Sequence, residues 1–267
     1  MDDLSATRAM IIDLDGVLWL GDAPLPGVHE FFTLLRRRGI GFILASNNAT
    51  ASAQTVQAKL RGMGVEVSPD EVLTSSAATA AYLHELFPSG GRIYVVGEAH
   101  LKEALTSLGF VLADSAEGVE AVVGSLDRQV TYQMLTEASL AIRAGALFLG
   151  TNGDVTYPTE RGQAPGTGAL LAALQAASGR APKIIGKPEP YVYAQALARL
   201  GASPEVTLAL GDRLETDVLG GQRAGLKVAI VLTGVTRRED LASSPFRPDW
   251  VFEGLPDLCR ALDSPSR

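Results

Sequence analysis

Cysteine is almost absent from this 267-residue sequence, which contains only Cys259. A single cysteine excludes an internal disulfide and a cysteine-rich metal site, so we expect a reducing, cytoplasmic environment. Its place in the apolar helix pattern GLPDLCRAL favours a buried structural thiol over a nucleophile. Three histidines, His29, His84 and His100, are scattered without the spacing of metal ligands, which argues against a histidine-rich zinc site.

Positive charge and long apolar runs are also scarce. The sequence has 23 Lys and Arg against 30 Asp and Glu, a net charge of -7, and its one short basic run is Arg36–Arg38. Nucleic-acid surfaces need clustered basic residues, so no nucleic-acid partner is expected. No run approaches the ~18 apolar residues of a membrane span, and the N-terminal MDDLSATR lacks the apolar core of a signal peptide. We therefore expect a globular protein without a membrane partner.

Short apolar runs typical of strands alternate with amphipathic helical segments along the chain. This order predicts right-handed βα crossovers, a parallel sheet and the α/β fold class. The predicted strands are AMIID, GFILAS, RIYVVG, EAVVGS, ALFLG, KIIG, VTLALG and KVAIVL. Such a set could close a (β/α)8 barrel, but reactive side chains follow only some strands. That uneven distribution favours an open, doubly wound, Rossmann-like sheet with a topological switch point.

Four strand ends carry reactive groups, and they fall into two groups in the sequence. AMIID ends in Asp13 and GFILAS in Ser46, whereas KIIG leads to Lys187 and VTLALG to Asp212. RIYVVG and EAVVGS, which lie between the two groups, end without an acid-base cluster. This break predicts an inserted second domain. The predicted bounds are residues 1–79 and 183–267 for the core and residues 80–182 for the inserted α/β domain.

The motif MIIDLDGVLW places Asp13 and Asp15 on one side of a strand end, because side chains two positions apart point the same way. Two carboxylates about 5 Å apart repel by roughly 3 kcal/mol at an effective dielectric constant near 20, so the pair needs a cation or a shared proton. Gly16 permits a sharp turn just beyond them. Taken alone, a DxDG sequence also fits an ordinary acidic loop.

The other three clusters have structural explanations as well. The SNNAT stretch can cradle an anion, but Asn48 or Thr50 could equally cap a helix. Lys187 is held by glycine and proline at the start of a helix, where a fixed ammonium suits a phosphate. Asp212 ends a buried strand, whereas Asp217 could be a simple partner of a helix dipole.

Together the four clusters are more specific than any one of them. Carboxylates prefer hard cations such as Mg²⁺, and a lysine with hydroxyl and amide donors suits a phosphoryl group. We therefore predict Mg²⁺ as the cofactor and a small phosphorylated metabolite as the partner. Gly166-Thr167-Gly168 does not extend to a dinucleotide fingerprint and no P-loop is present, so neither motif competes with this interpretation.

The order DLDGVL, SNN, GKPEP and GDRLETD resembles the haloacid dehalogenase (HAD) superfamily of phosphatases over nearly the whole chain. More narrowly, DGVLWLGDAPLPG, SNNAT, TNGD with YPTERG and PGTGALLAAL, and IIGKPEP resemble subfamily IIA, which has a large C2-type α/β cap between its second and third motifs. That branch includes p-nitrophenyl phosphatases, phosphoglycolate and pyridoxal phosphatases and NagD-type sugar phosphatases. The resemblance implies Mg²⁺-dependent hydrolysis of phosphate monoesters through an aspartyl-phosphate, and it allows a homodimer.

The resemblance also implies roles for individual residues. Asp13 matches the nucleophile, and Asp15 matches the general acid/base, an acid that the dehalogenase members lack. Ser46 matches a position that is often Thr in relatives, and it keeps the hydroxyl. The implied phosphate-binding groups are the backbone N–H groups of Leu14, Asp15 and Asn47, the Ser46 hydroxyl and the Lys187 ammonium.

The same resemblance implies a metal site and a set of cap contacts. Mg²⁺ would be bound by the carboxylates of Asp13 and Asp212 and the backbone carbonyl of Asp15, with Asp217 a neighbour that acts through water. Gly153 replaces a proline of some relatives in the TNGD loop. The candidates for substrate contacts are Asn48, Thr151, Asn152 and Asp154, together with the segment from Glu160 to Gly168.

Two other functions are compatible with these residues. A phosphoacceptor signalling domain also combines a strand-end aspartate with Mg²⁺ and a lysine, although it does not need Asp15 as an acid. A catalytically silent metal-binding scaffold is the second alternative. The length and the inserted domain argue against the first, and the intact reactive positions argue against the second.

Overall fold

The computed structural model describes residues 4–159 and 161–264, and it divides the chain into two compact units. The first unit contains the chain up to Ser46, Ala53–Leu73 and the chain from Lys187 onward. The second contains Asn47–Ser52 and Thr74–Gly186. Each unit has its own parallel sheet with helices, so the predicted α/β class is confirmed.

The described residues form the following strands. They are β1 (Ala9–Ile12), β2 (Trp19–Leu20), β3 (Ala23–Pro24), β4 (Gly41–Ser46), β5 (Val72–Thr74), β6 (Arg92–Val96), β7 (Val111–Ala113), β8 (Ala121–Gly124), β9 (Leu147–Gly150), β10 (Thr156–Thr159), β11 (Gly162–Pro165), β12 (Lys183–Ile184), β13 (Thr207–Gly211), β14 (Lys227–Val231) and β15 (Trp250–Phe252).

The described residues also form a set of short α-helices. They are α1 (Val28–Arg37), α2 (Ala53–Gly62), α3 (Ser75–Leu86), α4 (Ala99–Ser107), α5 (Tyr132–Ala144), α6 (Thr167–Ser178), α7 (Pro190–Leu200), α8 (Leu219–Arg223), α9 (Asp240–Ser243) and α10 (Leu255–Asp263), with a π-helical turn at Leu214–Val218 before α8. Within the described residues, none of these helices has the length and apolar character that a membrane span requires.

The first unit contains a six-stranded sheet in the order β15-β14-β13-β1-β4-β5. The central strand β1 pairs in parallel with β13 on one side and β4 on the other, with Ile12 opposite Leu210 and Leu44. From β1 the chain builds the sheet in one direction to β5 and later in the other direction from β13 to β15. This reversal is a topological switch point, where open α/β sheets bind ligands at the carboxyl ends of their strands.

The central strands of this sheet are apolar along their whole length because both faces are covered. All four residues of β1 and all five of β13 are buried. A strand covered on both faces reads as a continuous apolar run instead of an alternating one. Polar residues therefore follow the runs rather than interrupt them, and Asp13 and Asp212 each come directly after a buried strand.

The second unit has a five-stranded parallel sheet in the order β12-β9-β8-β6-β7 and an antiparallel hairpin of β10 and β11. Its core includes Val122, Ile142, Phe148 and Leu171. The segment KIIG forms the short strand β12 at the edge of this sheet, where it pairs with β9. Lys187, which follows that segment, belongs to the first unit.

Cys259 lies in α10, where it is partly buried and not fully enclosed. Burial, with smaller contributions from the nearby carboxylates Glu30 and Asp263, raises the pKa of the Cys259 thiol to about 11. Because the thiolate is the reactive form, this environment makes the side chain a poor nucleophile near neutral pH.

We predict that Cys259 resists alkylation at pH 8. A raised pKa leaves only about one thiol in a thousand ionised there, so the iodoacetamide rate should rise roughly tenfold per pH unit up to about pH 11. Mass spectrometry of timed samples would measure this, with Cys259→Ser as the unlabelled control. A rate that levels off near pH 8.5 would contradict the prediction.

Candidate active site

Asp13 and Asp15 lie on either side of Leu14 where β1 ends and the chain turns. The turn is closed by backbone bonds from Leu18 N–H to Leu14 O at 2.8 Å and from Gly16 N–H to Trp19 O at 2.8 Å. Gly16 has φ +82, a left-handed conformation that favours glycine. The Asp13 side chain is 13% exposed, whereas Asp15 is exposed to solvent. The first acid is therefore enclosed and the second reaches outward.

Lys187 connects Asp13 with Asp217, which lies far from it in the sequence. Its Nζ lies 2.7 Å from Asp13 Oδ1 and 2.7 Å from Asp217 Oδ1, and its side chain is 3% exposed. Burial by itself lowers the pKa of Lys187, but the charges of Asp13 and Asp217 more than offset this effect, so its pKa lies above the ordinary value. The buried ammonium is therefore charged and its position is fixed.

Asp212 follows β13 and is held in a cradle made by glycines. A Cβ on Gly16 or on Gly234 would overlap its Oδ2, so both positions must lack a side chain. Oδ2 accepts a hydrogen bond from the Val235 N–H at 2.6 Å. The other oxygen, Oδ1, is buried and has no hydrogen-bond partner among the described residues. A buried carboxylate oxygen without a partner is costly unless a cation binds it.

Asp217 uses both of its oxygens within the first unit. Oδ1 accepts from Lys187 Nζ, and Oδ2 accepts from the backbone N–H groups of Asp212 at 3.3 Å and Arg213 at 3.1 Å. A Cβ on Gly211 would overlap this side chain. Asp217 therefore fixes the lysine and the start of the loop that carries Asp212.

Asp13, Asp212 and Asp217, which we call the acid cluster, can each offer an oxygen within 4.8 Å of the others. Burial raises the pKa of Asp13 to about 8, with smaller contributions from the other two acids, while Lys187 opposes the shift. Burial and Asp217 likewise raise the pKa of Asp212 to about 6. One ammonium does not balance three carboxylates, so the site favours an additional cation.

Two other predicted phosphate-binding positions belong to the first unit. Ser46 is buried and ends β4, the strand next to β1. Leu14 is 2% exposed, so its side chain packs in the core and only its backbone is available for binding. The neighbouring strands β13, β1 and β4 thus bring Asp212, Asp13 and Ser46 to the same edge of one sheet.

The remaining predicted residues lie in the second unit, and three of them, Asn47, Asn152 and Asp154, bond to one another. The Asn47 carbonyl accepts from Asn152 Nδ2 and from the Ser75 hydroxyl, each at 2.8 Å. Asn152 Oδ1 accepts from the Asp154 N–H at 3.1 Å, and Asn47 Nδ2 donates to Asp154 Oδ2 at 3.4 Å. This network fixes the Asn47 peptide and the TNGD loop within that unit.

Other members of the predicted set serve local structure. Asn48 Oδ1 accepts from the backbone N–H and the hydroxyl of Thr50, at 2.9 and 2.8 Å, in a local turn. Thr151 is fully buried and its hydroxyl donates to Ser125 Oγ at 2.9 Å. Glu160, the first residue of the predicted Glu160–Gly168 segment, lies outside the described residues.

The structure adds two features that the motifs did not reveal. The loop after β14 supplies Gly234 and Val235 to Asp212, and the only sequence signal was a Thr-Gly turn after a strand. Trp19 donates its indole N–H to Asp15 Oδ1 at 2.8 Å. Trp19 ends the MIIDLDGVLW stretch, where an apolar residue is expected to belong to the hydrophobic core, so no sequence signal indicated its contact with Asp15.

Comparison with known proteins places these features in a family. Residues 10–111 match the family described as haloacid dehalogenase-like hydrolase, and residues 184–258 match the related family HAD-hydrolase-like. The acid sugar phosphatase of Staphylococcus aureus (strain USA300) is 38% identical over 256 residues, which cover 96% of this chain and 98% of that protein.

Two solved structures extend the similarity to the fold. The 4-nitrophenylphosphatase of Thermotoga maritima superposes with a TM-score of 0.92 at 36% identity, covering 97% of this chain and 99% of that one. The glycerol phosphate phosphatase of Mycobacterium tuberculosis, in complex with magnesium, gives 0.89 at 35% identity, covering 97% of this chain and 78% of that one.

These matches cover nearly the whole chain and fall in the branch that contains NagD and the p-nitrophenyl phosphatases. They confirm the family and the enzyme class that the motifs indicated. The chain belongs to the haloacid dehalogenase-like hydrolases, among the phosphatases of that family.

Proposed function

We propose that this protein is a Mg²⁺-dependent phosphatase that hydrolyses phosphate monoesters of small metabolites through an aspartyl-phosphate on Asp13. The observation that carries the proposal is the convergence of Asp13, Lys187 and Asp212 in one buried site of the first unit. It combines an enclosed carboxylate, a fixed ammonium and a carboxylate oxygen with no partner among the described residues.

The donor set fits Mg²⁺, which binds oxygen ligands and tolerates few protein ligands. The ion would be held by Asp212 Oδ1, which has no hydrogen-bond partner in the described part of the chain, by a carboxylate oxygen of Asp13 and by the backbone carbonyl of Asp15. Asp217 has both oxygens bonded elsewhere, so it would act through Lys187 and the Asp212 loop. When bound, Mg²⁺ supplies positive charge that offsets the carboxylates and the oxygens of a phosphate.

In the first step Asp13 would act as the nucleophile. Its carboxylate must be ionised to attack phosphorus, and Lys187 at 2.7 Å favours that form against the burial that disfavours it. The same ammonium would attract a phosphate oxygen, with the Ser46 hydroxyl and the backbone N–H groups of Leu14, Asp15 and Asn47 completing the phosphate site. Phosphoryl transfer depends mainly on such positioning and charge stabilisation.

Asp15 would carry the protons. It gives one proton to the oxygen of the leaving group as the phosphorus–oxygen bond breaks, and the alcohol departs. As a carboxylate it then takes a proton from the water that attacks the aspartyl-phosphate, which releases phosphate and restores Asp13. Its exposed position suits contact with both the leaving group and water.

The inserted second unit would act as the cap that selects the leaving group. Asn152 and Asp154 are the best candidates for this role among its polar residues, since the network around Asn47 holds their loop in a defined conformation. The similarity to an acid sugar phosphatase and to a glycerol phosphate phosphatase favours a small hydroxylated phosphate ester as the substrate.

We predict that Asp13→Asn abolishes hydrolysis of p-nitrophenyl phosphate. An amide is a poor nucleophile, so kcat should fall at least about a thousandfold in a steady-state assay with Mg²⁺. Asp114→Asn is the matched control, because Asp114 is an exposed acid with a side chain 96% accessible. Turnover that persists in Asp13→Asn would exclude the mechanism and indicate another nucleophile, whereas no turnover in the wild type would leave the silent scaffold.

We also predict that Asp15→Asn slows both formation and breakdown of the aspartyl-phosphate. The same carboxyl group acts as acid and then as base, and each role is worth about 10² to 10⁴ in rate. Rapid-quench trapping of ³²P-labelled enzyme would measure both steps. A variant that forms the intermediate normally and only accumulates it would contradict the first role.

We predict a third effect on metal binding that does not depend on activity. At a concentration near 100 times its Kd, Mg²⁺ should stabilise the wild type by about 2.7 kcal/mol. Each kcal/mol of stabilisation should raise Tm by roughly 2–4 °C. Asp212→Asn should lose most of this gain and, in EDTA, should be no less stable than the wild type, because it relieves repulsion in the acid cluster. Differential scanning calorimetry with Asp114→Asn as control tests this, and equal shifts in all three proteins would contradict the site.

A further inference from the structure

One buried indole contacts an acid at the edge of the active site. Trp19 Nε1 donates to Asp15 Oδ1 at 2.8 Å, and Trp19 is 3% exposed although Asp15 is exposed. The bond therefore connects a side chain with a fixed position to one that would otherwise change rotamer in solvent. No role assigned so far requires Trp19.

We propose that Trp19 is a positioning residue that fixes the Asp15 carboxyl group and determines which of its oxygens carries the transferred proton. The inference rests on the proposed function, in which Asp15 is the general acid. An indole N–H can only donate, so Asp15 Oδ1 must accept in either protonation state. The proton of the acid form is thereby assigned to Oδ2.

The surroundings of Trp19 hold the indole from both ends. Its carbonyl accepts from the Gly16 N–H at 2.8 Å, and its strand β2 pairs with β3, with Trp19 opposite Pro24. On the face of the ring, Lys59 Nζ lies 4.5 Å from the centroid and donates to Gly21 O at 2.6 Å. A cation over an aromatic face is attracted to it, so Lys59 holds the indole against the β2–β3 hairpin.

A fixed carboxyl group matters because proton transfer requires hydrogen-bond reach at the moment of bond breaking. The bond from phosphorus to the leaving oxygen breaks, its electron pair goes to that oxygen, and the proton on Asp15 Oδ2 moves to it. In the second step the Asp15 carboxylate takes a proton from water while the water oxygen bonds to phosphorus and Asp13 is released. An Asp15 that rotates away would fail at both steps.

A purely structural explanation is that the bond only satisfies the buried indole N–H. The two explanations differ in their dependence on the leaving group. An alkoxide needs a proton to depart, whereas 4-nitrophenolate is a stable anion and departs without one. A structural defect would lower the rate for both kinds of ester, but a misplaced acid would lower it mainly for alkyl esters.

The test compares Trp19→Phe with wild type on glycerol 3-phosphate and p-nitrophenyl phosphate. The measured quantity is kcat/KM, which reports the steps up to leaving-group departure. We expect it to fall about tenfold for the alkyl ester and to change by no more than about twofold for the nitrophenyl ester. Trp250→Phe, which removes the other tryptophan of the chain, should change neither value. Equal losses on both esters, or no loss on the alkyl ester, would overturn the proposal.

If Trp19→Phe does not fold, a closer isostere keeps the test available. In a Trp250→Phe background, biosynthetic replacement of the remaining tryptophan by benzothienylalanine keeps the bicyclic shape and removes the N–H. The same selective loss is expected, and its absence would overturn the proposal.

Asp15→Asn separates a failure of this inference from a failure of the proposed function. If that variant hydrolyses glycerol 3-phosphate normally, Asp15 is not the acid and the proton-transfer part of the proposed function is wrong. If it loses that activity while Trp19→Phe keeps it, only the role of Trp19 is wrong.

Discussion

The first unit is organised around a single buried ammonium that lies between two carboxylates. Lys187 contacts Asp13 and Asp217 at 2.7 Å each, and Asp212 belongs to the same acid cluster. One positive charge cannot balance three negative ones in a buried space. Burial first, and repulsion from the neighbouring acids second, raise the pKa of Asp13 and of Asp212. The site is therefore arranged to take up positive charge, which is the property that phosphoryl transfer requires.

The sheet makes this crowding possible. Parallel strands β13, β1 and β4 end at the same edge, so residues that follow them meet without long loops. Because apolar residues cover both faces of these strands, the acidic side chains of Asp13 and Asp212 come directly after β1 and β13 and not within them. Like charges that lie close together destabilise the fold, and the burial of a large apolar sheet offsets that repulsion.

Glycines determine how closely the acids can approach. Gly16 and Gly234 leave room for Asp212, and Gly211 leaves room for Asp217. Only Gly16 of these three has a positive φ, so the other two are required by space and not by backbone conformation. The hydrogen bonds from Val235 and Arg213 then orient the two carboxylates, which leaves one Asp212 oxygen directed at no described group.

The sequence by itself determined the fold class, the family and the identity of the reactive side chains, because apolar runs and the residues that end them are local features. Tertiary structure decided what those side chains contact. Asp217 could have been a simple partner of a helix dipole, yet it is buried against Lys187. The strand β12 of the KIIG segment pairs in the second sheet, and the buried Trp19 donates its N–H to Asp15, and neither contact has a signal in the sequence. These outcomes depend on which distant surfaces pack together, and periodicity along the chain carries no information about that choice.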